Sequence, residues 1–123
     1  IVGLKAAIEF IESIGMRKIK DHEKKLTAKL YKAISQLKNY QLISHPKSTS
    51  IVSFHHKNIH CHDISTFLAE SGISIRAGHH CAEPCVKALG VKHCLRASIG
   101  IYNDEKDIQY LINQLKNAEQ LLG

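Results

Sequence analysis

Apolar residues recur every three or four positions in three long stretches of the chain, which is the spacing of a helix that buries one face. The first stretch covers residues 1–14 and ends at Gly15, a residue type that favours helix ends. The second covers residues 17–38, and the third begins after Asn103 or Asp104, either of which can cap a helix. We therefore predict two helices at the start of the chain and a long helix at its end.

The sequence between these helices has the shorter periodicity of strands. Residues 51–55 and 73–76 are predicted strands, on either side of a short predicted helix at residues 63–71. Residues 95–101 alternate most regularly, so their apolar and polar side chains face opposite sides of a sheet. This order predicts an α+β domain with two layers, in which helices pack on one face of a short sheet.

The length and composition suit one globular domain. The chain has 123 residues, of which 44% are apolar and 23% are charged, and a single core commonly holds about 100–150 residues. No apolar run approaches the ~20 residues that a membrane-spanning helix needs, so we expect no membrane partner and a cytoplasmic location. The chain begins with Ile1 rather than methionine, from which we expect a fragment of a longer protein or a processed form.

The formal net charge is +6, and much of it lies in residues 17–38, on the helix face away from the apolar stripe. A solvated helix surface explains this pattern better than a nucleic-acid site, because no aromatic residues alternate with the lysines and no nucleic-acid motif is present. We expect no nucleic-acid partner, although the basic face could attract an acidic protein.

The segment at residues 76–84, Arg-Ala-Gly-His-His-Cys-Ala-Glu-Pro, is the part of the chain best suited to chemistry. It follows a predicted strand, and we expect it to be mostly loop, with room for a helical turn after its proline. Cys81 directly follows His79 and His80, and the arginine that opens the segment can approach it in the fold, as can Arg96. Positive neighbours lower the pKa of a cysteine, and a thiolate on a loop is what nucleophilic or sulfur-transfer chemistry needs.

Arg96 lies on the polar side of the predicted strand at residues 95–101, together with Ser98. Its guanidinium group can bind a carboxylate through two parallel hydrogen bonds. An exposed strand arginine is more often an ordinary surface residue, and it is the position of Arg96 after the Cys81 segment that favours a binding role.

These motifs resemble those of a known family. Residues 76–82 are similar to the Arg-x-Gly-His-His-Cys-Ala signature of the group II cysteine desulfurases, which belong to the class V aminotransferase family and include enzymes of the sulfur-mobilisation (Suf) pathway. Residues 95–98 and 101–103 resemble the family's Arg-Ala-Ser and Tyr-Asn elements, and residues 62–64 resemble its His-Asp step. The likeness covers nearly the whole chain and is densest at residues 72–104.

The resemblance implies that the whole chain is the C-terminal small domain of a pyridoxal-phosphate (PLP) cysteine desulfurase. Cys81 would attack the sulfur of L-cysteine held on PLP and carry it away as a persulfide, with release of L-alanine, and Arg96 would bind the substrate carboxylate. Arg76, His79 and His80 would shape the loop and its electrostatics. The resemblance also implies a homodimer, a sulfur-acceptor protein as partner, and a role in iron–sulfur cluster assembly.

The chain also departs from the family pattern. The family's Schiff-base lysine and PLP pocket lie upstream, so we expect no cofactor-binding residue in this chain and no activity from the chain alone. Residues 53–57, Ser-Phe-His-His-Lys, superficially resemble the Ser-x-His-Lys site but contain one residue too many, so Lys57 is not interpreted as that lysine. Cys85 stands where the family usually has an aliphatic residue, and it is interpreted either as a small apolar filler or as a resolving thiol for Cys81.

Three other interpretations remain open. A metal-binding module could use four cysteines and four histidines: Cys61, Cys81, Cys85, Cys94, His60, His62, His79 and His80. We expect no metal, because the chain has no Cys-x-x-Cys pair and the spacing of these residues is irregular. A structural or interaction domain would leave the cysteines inert. Within the same family, a selenocysteine lyase or another class V PLP enzyme fits equally well, since nothing in a small domain separates these substrates.

Overall fold

The computed structural model describes residues 1–78 and 83–123. The chain begins with two helices and two strands, after which helices and strands alternate. In the described ranges, the helices are α1 (Val2–Ile14), α2 (Met16–Ser35), α3 (Cys61–Glu70), α4 (Glu83–Ala88) and α5 (Glu105–Leu122), and the strands are β1 (Tyr40–Leu42), β2 (Ile51–His56), β3 (Arg76–Gly78) and β4 (Cys94–Ser98). None of these helices is both long enough and apolar enough to cross a membrane.

The strands form one antiparallel sheet in the order β1-β2-β4-β3. Its buried face carries Phe54 of β2 and Leu95 of β4, which lie directly opposite each other. The apolar stripes of α2, α3 and α5 pack against this face in one core, with Leu30, Ile64 and Leu115 among its most buried side chains. The predicted α+β domain with helices on one face of a short sheet is confirmed.

Local capping explains where two of the helices begin. His60 caps α3, because its ring Nδ1 accepts a hydrogen bond from the backbone N–H of His62 at 3.1 Å; α3 therefore begins at Cys61, two residues before the predicted start. Asp104, rather than Asn103, caps α5 and forms a reciprocal capping box with the third helical residue.

Two strand predictions were wrong in their boundaries. Residues 73–75 are not a strand, because the Ile73 N–H donates to the Leu68 carbonyl and the Ser65 hydroxyl donates to the Ile75 carbonyl, so this segment is bonded to α3. The strand lies instead at β3. β4 ends at Ser98 rather than at residue 101, because residues 101 and 102 form a turn in which the Asn103 N–H donates to the Gly100 carbonyl.

The two ends of the chain expose apolar surface. α1 buries no residue, and its exposed side chains include Leu4, Ile8 and Phe10. The ring of Phe10 stacks on the exposed Tyr102, with centroids 6.4 Å apart. At the other end, Leu122 continues the apolar spacing of α5 but is exposed. The helical turn expected after Pro84 is confirmed by α4.

Candidate functional site

Two arginines face each other at the edge of the sheet. Arg76 of β3 and Arg96 of β4 are directly paired in the register, and Ser53 of β2 lies opposite Arg96 on its other side. Their side chains therefore share the face of the sheet opposite Leu95 and Ala97. The predicted alternation of β4 is confirmed, whereas the approach of the two arginines to Cys81 stays a prediction, because Cys81 lies outside the described residues.

Arg96 is the less exposed of the two arginines, and its Nε has no acceptor among the described residues. Arg76 is exposed, whereas Arg96 is half-buried. The Arg96 Nε is fully buried and makes no hydrogen bond to any atom of residues 1–78 or 83–123. Buried guanidinium groups bind anions strongly, so this face of the sheet is suited to a carboxylate.

Gly78 ends β3 in a backbone conformation that side chains disfavour. Its φ is 116°, and a Cβ built on it would lie 3.8 Å from His62 Cε1. Its carbonyl accepts a hydrogen bond from Cys94 Sγ at 3.7 Å, which ties the end of β3 to the start of β4. The residues that follow, 79–82, lie outside the described ranges, so the roles of Cys81, His79 and His80 stay predictions.

Two buried thiols lie beside the end of β3. Cys61 is 1% exposed and Cys94 is 4% exposed. Burial raises the pKa of the Cys61 thiol, against the opposing effect of hydrogen bonds from backbone groups that include Gly78. Burial also raises the pKa of Cys94, as does its proximity to Cys61, while Arg96 opposes the change. Both thiols are therefore poor nucleophiles.

Cys85 differs from these two cysteines. It lies on α4 and is exposed, so it fills no space in the core of this domain, contrary to its interpretation as an apolar filler. Its alternative role as a resolving thiol for Cys81 stays a prediction.

Histidine rings surround the start of α3. The rings of His60 and His93 have centroids 3.9 Å apart, and those of His60 and His62 have centroids 5.2 Å apart. One ligand atom each from His60, Cys61 and His93 lie within 4.8 Å of one another. The metal-binding alternative in the sequence included His60 and Cys61 but missed His93, whose position just before the buried Cys94 is the signal that could have found it.

The lysines do not form a cofactor site. Every lysine of the chain is exposed, and Lys57 donates a hydrogen bond to the Lys38 carbonyl at 2.8 Å. A lysine that forms a Schiff base normally lies in a pocket that desolvates its amine. The residues present therefore do not fit PLP by themselves.

Comparison with known proteins places this geometry in a family. Residues 1–111 match the family model of the class-V aminotransferases. The chain belongs to this family. Among curated relatives, the probable cysteine desulfurase of Staphylococcus epidermidis is 36% identical over 124 residues, and that of Halalkalibacterium halodurans is 38% identical over 122 residues. Each match covers 99% of this chain and 30% of the relative.

Solved structures of class V relatives have the same fold. The cysteine desulfurase CsdA of Escherichia coli aligns with a TM-score of 0.91 and 31% identity, over 98% of this chain and 30% of that chain. The apo cysteine desulfurase of Thermococcus onnurineus NA1 aligns with a TM-score of 0.90 and 31% identity, over 98% of this chain and 31% of that chain. The resemblance to cysteine desulfurases is confirmed. The chain spans 30% of the length of the curated relatives it matches.

Proposed function

We propose that this chain is the C-terminal small domain of a group II, Suf-type cysteine desulfurase, in which Cys81 takes sulfur from L-cysteine as a persulfide. The similarity to named cysteine desulfurases over 99% of the chain supports this function. The sequence signature at residues 76–82 supports the group II assignment.

The pairing of Arg76 with Arg96 is the observation that carries the proposal. Gly78 lies two residues after Arg76 and three residues before Cys81, and its carbonyl is bonded to Cys94, the residue two positions before Arg96. A carboxylate bound by Arg96 is therefore held at the sheet edge from which the Cys81 segment departs. Arg96 would hold the substrate carboxylate, and Arg76 would add positive charge beside it.

The reaction would transfer one sulfur atom. The Cys81 thiolate attacks the sulfur of L-cysteine, a new S–S bond forms, and the Cβ–S bond of the substrate breaks. The electron pair of that bond stays on the substrate carbon, which gains a proton and leaves as L-alanine, while Cys81 carries the persulfide. Positive charge from the arginine pair would favour the thiolate over the thiol.

The rest of the protein would supply the cofactor. PLP, when bound, supplies the electron sink for cleaving bonds on the substrate's carbons, and no lysine of this chain is placed to hold it. The exposed apolar side chains of α1 would pack against the missing cofactor-binding domain. The 123-residue chain alone would therefore be inactive.

The proposal extends to partners and location. The whole protein would be a cytoplasmic homodimer that passes its persulfide sulfur to an acceptor protein for iron–sulfur cluster assembly. Nucleic acid and membranes would not be partners, since the positive charge of α2 is that of a solvated helix face.

The test is an assay of the full-length protein with PLP, in which alanine is measured after addition of L-cysteine or L-selenocysteine. We expect alanine from L-cysteine, a persulfide on Cys81 by mass spectrometry, and loss of both in Cys81→Ala. Arg96→Ala should raise the KM for L-cysteine by more than about tenfold, the effect of losing a bond to a charged group, and Arg96→Lys should recover part of it.

Cys85→Ser is the matched control, because Cys85 is exposed on α4. It should leave alanine formation in the first turnover unchanged, since a resolving thiol acts only after the persulfide has formed. Normal turnover of L-cysteine by Cys81→Ala would show that Cys81 is not the nucleophile. Turnover of L-selenocysteine alone would assign a selenocysteine lyase instead. Failure of the full-length protein to bind PLP would exclude both enzymes.

A further inference from the structure

The cluster of His60, Cys61 and His93 has no role in the proposed desulfurase reaction. His60 and Cys61 are adjacent at the start of α3, and His93 immediately precedes β4. Their ligand atoms lie within 4.8 Å of one another, although no ion is present among them. The fold thus brings two imidazoles and a thiol together from distant parts of the sequence.

The types of ligand select the class of metal. Two imidazole nitrogens and one sulfur suit a borderline-soft transition ion, whereas Mg²⁺ and Ca²⁺ require oxygen ligands. The bond lengths of tetrahedral Zn²⁺, about 2.0–2.1 Å to nitrogen and about 2.3 Å to sulfur, place its ligand atoms roughly 3.3–3.6 Å apart. To bind Zn²⁺, the ligand atoms of His60, Cys61 and His93 would need to come about an ångström closer together. Rotation of the exposed His60 ring can supply this movement.

We propose that His60, Cys61 and His93 form a binding site for one Zn²⁺ ion per chain, in which residues 1–78 and 83–123 leave the fourth coordination position open. The proposal concerns metal binding alone and does not depend on the desulfurase activity. Cys61 Sγ anchors the site from the buried side, and the exposed His60 closes it toward solvent. On binding, the Cys61 thiol becomes a thiolate and releases its proton to solvent.

Metal binding would exchange one helix cap for another interaction. The His60 Nδ1 now accepts a hydrogen bond from the His62 N–H, so the proton of a neutral ring is on Nε2. A ring that binds a metal through one nitrogen carries a proton on the other. His60 would therefore release this hydrogen bond when it binds the ion. The bonds from the metal to His60 and Cys61 would then replace the capping hydrogen bond in holding the start of α3.

The site lies against the base of the Cys81 segment. The Gly78 carbonyl at the end of β3 accepts a hydrogen bond from Cys94, the residue after His93. An ion held by His60, Cys61 and His93 would therefore join α3, the start of β4 and the end of β3. Zinc binding should consequently raise the midpoint of thermal unfolding, since it stabilises only the folded chain.

The experiment uses the reduced 123-residue chain and Co²⁺, whose absorption reports its ligands, followed by displacement with Zn²⁺. We expect one Co²⁺ per chain, a near-ultraviolet charge-transfer band from the thiolate and the visible bands of a tetrahedral ion, all removed by one equivalent of Zn²⁺. Cys61→Ser should abolish the charge-transfer band, and His93→Gln should lower the Zn²⁺ affinity at least roughly tenfold, since even outer-shell changes cost that much.

His60→Asn separates metal binding from folding. Asparagine keeps the capping acceptor of α3 but removes the imidazole, so this variant should fold as before, by circular dichroism, and should lose Zn²⁺ affinity at least roughly tenfold. The matched controls are His45→Ala and Cys85→Ser, which remove an exposed imidazole and an exposed thiol elsewhere and should leave the titration unchanged.

Several results would overturn the proposal. The absence of a charge-transfer band, a Zn²⁺ affinity unaffected by His60→Asn, or a band lost in Cys94→Ser but kept in Cys61→Ser would each exclude this set of ligands. If Cys61→Ser does not fold, the decision rests on His60→Asn, whose side chain lies at the surface.

Discussion

Replacing Asp104 by alanine removes one half of a reciprocal pair of hydrogen bonds at the start of α5. The Asp104 Oδ1 accepts from the Asp107 N–H at 3.0 Å, and the Asp107 Oδ2 accepts from the Asp104 N–H at 3.1 Å. Loss of an N-cap acceptor typically lowers the free energy of unfolding by about 1 kcal/mol. Because Leu111 and Leu115 of α5 are buried in the core, the loss should appear in global unfolding rather than only in fraying of the helix.

The thermal unfolding midpoint measures this loss. For a domain of this size, about 1 kcal/mol corresponds to a decrease of roughly 3–6 °C. Asp104→Asn is the matched variant, because asparagine caps helices about as well as aspartate, and it should unfold within about 1 °C of the parent chain. A thermodynamic cycle with Asp107→Ala should be non-additive, because the two side chains form one capping unit.

Two outcomes would refute the reasoning. Equal midpoints for Asp104→Ala and the parent chain would mean that the capping box contributes nothing to the stability of α5. Equal decreases for Asp104→Asn and Asp104→Ala would mean that the charge of Asp104, rather than its acceptor oxygen, stabilises the helix.

The remaining predictions concern the core, pH and thiol reactivity. Phe54→Ala should lower the free energy of unfolding by about 3–5 kcal/mol in urea denaturation, because Phe54 is fully buried; a loss below about 1 kcal/mol would contradict its place in the core. Burial lowers the pKa of His56 below its ordinary 6.5, so the folded chain binds fewer protons than the unfolded chain. The free energy of unfolding should therefore fall as the pH decreases below 6.5, and His56→Gln should flatten this dependence; an equal slope in both proteins would exclude His56 as its source. Cys85 is exposed whereas Cys61 and Cys94 are buried, so a thiol reagent should label Cys85 well before either, as followed by mass spectrometry; early labelling of Cys61 would contradict its burial.

The helices on the core face of the sheet could be predicted from the sequence, because their buried residues recur at a regular spacing along each helix. Leu26, Leu30 and Ile34 repeat every four residues along α2, and all three are buried. Arg96 could likewise be placed on the polar face of β4. Its neighbours Leu95 and Ala97 are buried on one face of the sheet, and successive side chains of a strand point to opposite faces.

The wrong boundaries have a non-local cause. Ile73 and Ile75 alternate as strand residues do, but their backbone bonds go to α3 rather than to a neighbouring strand. Strand pairing depends on which segment lies alongside, and that partner is not visible in a window of a few residues. For the same reason His93 could not be joined to His60 from the sequence, since the two meet only where α3 begins beside β4.

The opposed arginines have a consequence for how the sheet edge is stabilised. Like charges directly opposite each other on neighbouring strands destabilise a sheet, and Arg76 and Arg96 are such a pair. An anion that binds between them replaces repulsion by attraction, and a ligand that binds only the paired strands adds its own binding free energy to their stability. Binding of an anion between Arg76 and Arg96 and pairing of β3 with β4 are thus thermodynamically linked. The ligand therefore stabilises the strand pair that forms its own binding site.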